Sequence, residues 1–230
     1  MHAMNTDLAR HYMIEQQIRP WEVLDQGVLS LLGEVRREDF VPPALRSLAF
    51  VDTRVPLIDG EPAGPCMLEP KVEARLLQEL AVRKHEKVLE IGAGSGFMAA
   101  LLGHRAAQVT TLECRPELVL RARQNLRDAG VFNVDVREVT PAQGAQGLPG
   151  EGPFDVILLS GSVAEVPAAL LQQLKVGGRL AAIVGDEPIM TAMVYTRRTE
   201  AATGAWAPRD LFETVAPRLA GFAEPTRFHF

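Results

Sequence analysis

The sequence predicts an α/β protein whose core is a parallel β-sheet covered by helices on both faces. Three observations support this fold class. Short apolar runs alternate with helical segments after about residue 80, which is the pattern that places parallel strands in one sheet. The 230 residues suffice for one large domain with a sizeable core. The composition, with 47% hydrophobic and 23% charged residues, excludes disordered and fibrous classes.

The first 83 residues are predicted to form a helical and looped addition that packs on the core. Helical spacing covers 7–18 and 25–35, and the second of these carries an apolar stripe at i, i+3, i+4 and i+7, typical of a face packed on a core. A short helical stretch is expected at 43–48. Residues 53–70 hold four prolines, and a long loop of this kind is typically functional or disordered.

The second part, 84–230, is predicted to carry the sheet. Strands are expected at 87–91, 108–112, 134–137, 155–159 and 179–184, and two later runs, 190–197 and 211–217, are candidates for further strands. Helices are expected from the glycine loop to 102, at 116–129 and at 167–174. The two parts are expected to form one compact unit.

Charge and cysteine content narrow the function classes. With 24 basic and 29 acidic residues, the net charge of −5 makes non-specific nucleic-acid binding unexpected. No apolar run approaches a membrane span, and no secretory signal is visible. Cys66 and Cys114 form no CxxC motif, and two thiols in a chain of this length favour a reducing, cytoplasmic location. The histidines show no metal-ligand spacing, so no metal is expected.

A glycine-rich loop follows the first predicted strand. The segment 90–96 reads EIGAGSG, and its glycines follow a GxGxG pattern. Phe97 stands where the dinucleotide fingerprint GxGxxG needs glycine. Ligands bind at the carboxyl ends of parallel strands, where glycine lets the backbone approach them closely. The loop therefore indicates a ligand site, with a plain tight turn as the alternative.

Two acidic residues indicate which ligand this loop takes. Glu113 closes the second strand, 21 residues after Gly92, where a carboxylate can accept both hydroxyls of a ribose. Glu90 would repel a diphosphate at short range, but it suits a ligand that carries an ammonium and a sulfonium. S-adenosylmethionine (SAM) has both, and a ribose. The sequence therefore predicts a SAM-dependent methyltransferase, and Glu90 and Phe97 argue against a nicotinamide dehydrogenase.

Motifs spread over nearly the whole chain agree with one family. They are MIEQQIRP at 13–20, RREDFVP at 36–42, LAFVD at 48–52, VPL at 55–57, VLEIGAGSGF at 88–97, FDVILL at 154–159, EVPAAL at 165–170 and LKVGGRL at 174–180. Together they resemble the protein-L-isoaspartate O-methyltransferase family. The glycine loop is common to many SAM enzymes, whereas the N-terminal motifs are specific to this family.

This resemblance implies a Rossmann-like SAM-binding sheet with a helical N-terminal addition and C-terminal antiparallel strands. It implies methyl transfer from SAM to the α-carboxylate of an L-isoaspartyl residue, a repair step for damaged proteins. The partner would be an isoaspartyl-containing peptide or protein, or another small carboxylate; the oligomeric state stays open. The candidate cofactor-binding residues are Met67, Glu90, Gly92, Ala93, Gly94, Ser95, Gly96, Glu113, Cys114, Thr140 and Ser160.

Two positions depart from the family pattern. The family's substrate loop, roughly Gly-Gln-Thr-Ile-Ser-Gln-Pro, aligns with 64–70, which places its Ser on Leu68 and its Thr on Cys66. Leu68 and Cys66 are therefore the candidate catalytic positions, although leucine donates no hydrogen bond. The family's Gly-Asp-Gly, whose Asp holds the adenine amino group, aligns with 139–141, so Thr140 keeps an acceptor oxygen without a charge.

These departures leave two alternatives open. One is a SAM-dependent methyltransferase with a different substrate, which Leu68 favours. The other is a SAM-binding protein without catalysis, which both departures together favour. Methyl transfer to a carboxylate needs no general base, because a pKa of about 4 leaves the group ionised at neutral pH. The absence of an obvious base therefore agrees with a carboxyl methyltransferase.

Overall fold

The computed structural model describes residues 5–199 and 205–224, and two sheets organise them. A short ribbon pairs β1 (Val55–Pro56) with β2 (Cys66–Met67). The main sheet has seven strands. They are β3 (Lys87–Ile91), β4 (Gln108–Glu113), β5 (Val134–Glu138), β6 (Phe154–Val163), β7 (Leu174–Asp186), β8 (Ile189–Arg197) and β9 (Trp206–Thr214).

The order of strands in the main sheet is β5-β4-β3-β6-β7-β8-β9. Strands β3 to β7 run parallel, and β8 and β9 add antiparallel strands at one side. This confirms the predicted fold class, including the C-terminal antiparallel strands. Because β3 lies between β4 and β6, the winding of the chain reverses there, and the carboxyl ends of these strands are the expected place for a ligand.

Seven α-helices surround the sheet in the described residues. They are α1 (Thr6–Met13), α2 (Gln26–Glu34), α3 (Pro70–Leu80), α4 (Phe97–Arg105), α5 (Pro116–Asp128), α6 (Pro141–Gln146) and α7 (Ala168–Leu171). The helix predicted at 7–18 is regular only as far as Met13. A π-helical turn (Ile14–Ile18) and a 3₁₀ turn (Arg19–Trp21) follow it directly and carry the helical path past Pro20. The stretch expected at 43–48 is a 3₁₀ helix, Pro43–Leu48.

Three elements of the structure were not predicted from the sequence: α3, α6 and the β1–β2 ribbon. Helix α3 begins at Pro70, which the proline count assigns to a loop, although proline is well suited to the first turn of a helix. Helix α6 likewise begins at Pro141, behind a capping box formed by Thr140 and Gln143. The ribbon β1–β2 is too short for an alternation pattern to show in the sequence.

The later strands differ from their predicted bounds. Strand β6 continues through Ser160, Gly161 and Ser162 and is therefore longer than the predicted strand at 155–159. Strand β7 starts earlier than 179, at a register irregularity against β6. Strand β9 covers Trp206–Thr214 instead of 211–217. It includes Pro208, which is tolerated there because β9 is an edge strand.

The N-terminal addition and the sheet share one hydrophobic core. Met13 of α1 and Leu31 of α2 belong to the same buried cluster as Val88 of β3 and Ala181 of β7. Burial against the sheet therefore stabilises the N-terminal helices, which are too short to be stable alone. No helix in the described ranges is long and apolar enough to cross a membrane.

Candidate active site

A cavity of about 290 Å³ lies at the carboxyl ends of β3, β4 and β6. Its walls come from the glycine loop, the end of β4, the loop that precedes α3 and the segment that follows β9. Its lining includes Cys66, Leu68, Gly92, Gly94, Glu113, Cys114, Arg115, Ser160, Arg218 and Leu219. The structure thus brings Gly92 and Gly94 of the glycine loop together with Glu113, Cys114, Ser160, Leu68 and Cys66 around one space.

The glycine loop bends under the cavity with backbone angles that favour glycine. Gly92 has φ +95° and Gly94 has φ +54°. A Cβ at Gly92 would stand 2.9 Å from Leu219 Cδ2, so a larger residue would push into the cavity wall. The N–H groups of Gly92 and Ala93 donate to Leu112 O at 2.8 and 3.2 Å. These bonds tie the loop to β4 and fix its position beneath the cavity.

Glu113 presents an oriented carboxylate to the cavity. Its Oε2 accepts from the N–H of Gly94 at 2.9 Å, and its Oε1 accepts from the N–H groups of Cys114 at 2.8 Å and Arg115 at 3.0 Å. Three backbone donors therefore hold this side chain in one orientation. A carboxylate has about four acceptor sites, so it keeps the capacity to accept a hydroxyl from a ligand.

Glu90 lies fully buried beneath the glycine loop. Thr111 Oγ1 donates to its Oε2 at 2.6 Å, and Ser160 Oγ donates to its Oε1 at 2.7 Å. Burial raises the pKa of Glu90 to about 7, the two hydroxyl donors oppose this shift, and the nearby charge of Glu113 adds to it. Glu90 lines a smaller cavity of about 30 Å³ that shares Cys66, Leu68, Gly92, Gly94 and Ser160 with the large one.

The raised pKa of Glu90 predicts a stability that falls as pH rises. The folded protein keeps a proton on Glu90 that the unfolded chain, with a pKa near 4.3, releases. Stability is therefore highest below that value and is lost as pH rises through about 7. We expect Glu90→Gln to reduce this loss by up to about 2 kcal/mol, measured as urea unfolding between pH 5.5 and 8.5 without cofactor. Parallel pH profiles for the two proteins would contradict the assignment.

A buried ion pair holds the loop that carries Leu68. Arg37 bonds to Glu73, and its Nη2 donates to Leu68 O at 2.8 Å. Burial raises the pKa of the Glu73 carboxylate to about 7, against the opposing effect of Arg37. The Arg37 guanidinium also lies 5.0 Å from the ring of Phe97, the first residue of α4. The Arg37–Glu73 pair thus connects the N-terminal addition with α3, with the loop that carries Leu68 and with α4, the helix that follows the glycine loop.

The two candidate catalytic positions form a largely apolar wall. Leu68 is buried, and its side chain lines both cavities. Burial raises the pKa of the Cys66 thiol to about 12, so the thiol stays protonated and is not an activated nucleophile. Neither residue can therefore act as a base or nucleophile at neutral pH.

Six of the predicted cofactor residues, Glu90 among them, do not line the large cavity. Thr140 N-caps α6, where its Oγ1 accepts from Gln143 N at 3.3 Å, while its neighbours Val139 and Pro141 line the cavity. Met67, Ala93 and Ser95 line only the smaller cavity. Gly96 lines neither cavity and N-caps α4 against Ala122. Contacts of these residues with a cofactor remain predictions.

Sequence reasoning missed the residues that reach the cavity from distant parts of the chain. Arg115 pairs through Nη2 with Glu61 at 3.0 Å, which ties the long loop to the start of α5. Leu219 enters the wall because its N–H donates to Ser162 O at 2.9 Å. No local pattern marks either contact, since both depend on the tertiary fold. Within the described residues, no group of three or more His, Cys, Asp or Glu is placed to hold a metal ion.

A family model described as protein-L-isoaspartate(D-aspartate) O-methyltransferase (PCMT) matches residues 9–206. The chain belongs to this family. The curated protein-L-isoaspartate O-methyltransferase of Methanoculleus marisnigri is 40% identical over 189 residues, covering 82% of this chain and 83% of its own. Protein-L-isoaspartate O-methyltransferase 2 of Anaeromyxobacter sp. is 38% identical over 208 residues, covering 90% and 80%. The resemblance found in the motifs is thereby confirmed.

Solved structures of the same family share the fold. A protein-L-isoaspartate O-methyltransferase structure superimposes with TM-score 0.72 at 24% identity, over 94% of this chain and 66% of the other. A Plasmodium falciparum protein described as a beta-aspartate methyltransferase (PCMT) in complex with S-adenosyl-L-homocysteine gives 0.71 at 18% identity, over 95% and 100%. At these identities the likeness shows the fold alone.

Proposed function

We propose that this protein is a SAM-dependent O-methyltransferase that methylates the α-carboxylate of L-isoaspartyl residues in damaged proteins. Membership of the family supports the activity. The observation that carries the proposal in this chain is Glu113, a carboxylate held by three backbone N–H groups in a cavity wall beside the glycine loop. That arrangement suits the two hydroxyls of a ribose.

The chemistry of the cavity fits SAM. Gly92 has no Cβ to project toward Leu219 in the cavity wall, and Glu113 offers acceptors for a ribose. Glu90 supplies a carboxylate whose ionised form a cationic ligand would favour. SAM, when bound, supplies a methyl group on a positively charged sulfur. Besides Glu90, Gly92 and Glu113, the residues proposed to hold it are Met67, Ala93, Gly94, Ser95, Gly96, Cys114, Thr140 and Ser160.

The chain's own contribution to the reaction is positioning and the exclusion of water. The acceptor carboxylate is ionised at neutral pH and needs no base, which agrees with a wall that offers only Leu68 and a protonated Cys66. Holding the carboxylate in line with the methyl group supplies most of the acceleration in such a displacement. The apolar wall also strips water from the nucleophile, so the carboxylate needs a polar partner to offset that cost.

The two parts of the chain would divide the binding of SAM and of the methyl acceptor between them. Residues 84–230 would supply all the proposed SAM contacts except Met67, and residues 1–83 would form the acceptor side, because Leu68 and Cys66 lie on the loop they contribute. The partner would be an isoaspartyl-containing peptide or protein. The free thiols of Cys66 and Cys114 support a cytoplasmic location.

Labelled methyl transfer tests the proposed activity. We expect the protein, incubated with methyl-labelled SAM and an L-isoaspartyl peptide, to form a base-labile methyl ester, whereas the matched L-aspartyl peptide remains unlabelled. Calorimetry with SAM should accompany the assay. A folded protein that binds SAM and forms no ester would overturn the isoaspartyl assignment.

The presence of Leu68 in place of the family's Ser favours a second candidate function, that of a SAM-dependent methyltransferase with another methyl acceptor. A Leu68→Ser variant separates the two. If isoaspartyl residues are the substrate, we expect the new hydroxyl to raise kcat/KM by about 2- to 10-fold, the effect of one hydrogen bond. If the wild type is inactive on the peptide and only the variant turns it over, the second candidate gains support.

A further inference from the structure

The cavity wall formed by Leu68 and Cys66, which lacks the hydroxyl of the family's Ser, lies next to a cationic residue, Arg54. In the ribbon, Val55 pairs with Met67 and Pro56 with Cys66, so the next step of this antiparallel register places Arg54 opposite Leu68. Side chains alternate along a strand and directly opposite residues share a face. Arg54 therefore belongs to the same face of the ribbon as Cys66 and Leu68, both of which line the cavity.

The Arg54 guanidinium is only loosely engaged. Its Nε lies 3.7 Å from Glu69 Oε1, beyond hydrogen-bond distance, and the side chain is 42% exposed. The arginines that line the cavity are held much more firmly. Arg115 bonds Glu61 and Glu117, and Arg218 bonds Asp186 and Glu224. Arg54 thus keeps donors available beside the wall.

The Glu69 carboxylate beside Arg54 has one acceptor atom, Oε2, without a partner in the described part of the chain. Its Oε2 is buried and has no hydrogen-bond partner among the described residues. Glu69 occupies the N-cap of α3, but its side chain makes no capping hydrogen bond. An unpaired buried acceptor costs about 1–3 kcal/mol, and a donor from a bound ligand would recover that cost.

The field of Arg54 also reaches the cavity wall. The pKa of Cys66 is raised by burial, and among the charges that act on this thiol Arg54 has the strongest effect, which lowers it. Glu69 is the next strongest and acts in the opposite direction. Both members of the pair are therefore close enough to act on a group that enters beside Cys66.

We propose that Arg54 and Glu69 recognise the methyl acceptor: Arg54 binds its carboxylate, and Glu69 Oε2 accepts its adjacent amide N–H. An isoaspartyl residue carries a free α-carboxylate and an amide N–H on the same carbon. The substrate class is thus an N-acylated α-amino acid with a free α-carboxylate. Arg54 takes the place of the hydroxyl that Leu68 lacks. This inference rests on the proposed function.

Kinetics of three variants on an L-isoaspartyl peptide test the pair. We expect Arg54→Gln to raise KM for the peptide at least 10-fold with kcat changed less than 3-fold, and Arg54→Lys to recover part of the loss. Glu69→Leu should lower kcat/KM about 3-fold or more. With a peptide N-methylated at the isoaspartyl nitrogen, Glu69→Leu should cause no further loss, because the N–H it serves is absent.

Two controls separate the possible failures. Arg46→Gln removes the same charge from the exposed 3₁₀ helix and should leave KM unchanged. SAM affinity should stay within 2-fold in every variant. A KM for Arg54→Gln within 2-fold of that of an active wild type overturns the recognition pair. An inactive wild type that binds SAM overturns the proposed function instead.

Discussion

Replacing Glu113 with glutamine is expected to lower the affinity for SAM at least 100-fold. Two charge-assisted hydrogen bonds to ribose hydroxyls would be lost or weakened, each worth about 1.5–3 kcal/mol, and about 1.4 kcal/mol is tenfold in affinity. The amide nitrogen would also face a backbone N–H of Gly94, Cys114 or Arg115 and could not accept from it. Titration calorimetry with SAM measures the effect.

Glu138→Gln is a matched control for this change. Glu138 ends β5 directly opposite Glu113 in the sheet, but it is exposed and lines no part of the cavity. SAM affinity in this variant should equal that of the wild type. If Glu113→Gln binds SAM within 3-fold of the wild type, Glu113 is not the ribose acceptor.

Breaking the Arg37–Glu73 pair is expected to give the largest loss of stability. In Arg37→Met, the Glu73 carboxylate remains buried without its partner, which costs about 3–5 kcal/mol in unfolding free energy. In the double variant Arg37→Met/Glu73→Met, no buried charge is left unpaired, so most of the stability should return. Urea unfolding at pH 7.5 measures both effects.

The double variant also separates stability from catalysis. Without Arg37 the carbonyl of Leu68 loses its 2.8 Å hydrogen bond, and the loop is no longer fixed against the cavity. We expect kcat to stay about 10-fold below wild type even where stability has returned, since a small misplacement is costly in a positioning reaction. The neighbouring Arg36→Gln, on the surface, should change stability by less than about 1 kcal/mol. Full activity in the double variant would reduce the pair to a purely structural role.

Local features of the site could be predicted from the sequence. Glu90, the glycines and Glu113 lie within single strand-to-loop transitions, and the fold places such transitions at the carboxyl edge of the sheet. Their spacing, together with the charge of Glu90, was enough to predict the ligand class. The bounds of β3 and β4 agree with the predicted strands almost residue for residue, because both segments are rich in the β-branched residues that favour strands.

Long-range features could not be predicted in this way. Arg37 and Glu73 are 36 residues apart, and nothing in either local pattern marks them as partners. The same holds for Arg54, whose position opposite Leu68 depends on a ribbon only two residues long in each strand. Helix α3 was not predicted, because Pro70 reads equally well as part of a loop and as the first residue of a helix.

The cavity is built from segments that are far apart in the chain, and this has a consequence for biosynthesis. Glu61 and Leu68 line it from one side, and Pro217, Arg218 and Leu219 line it from the other. Ser162 holds the second segment through bonds to Ala216 and Pro217. A nascent chain can pair β3 to β7 as soon as these strands leave the ribosome, but the pocket is complete only after residue 220 has emerged. The cavity is therefore completed last, after the sheet that supports it.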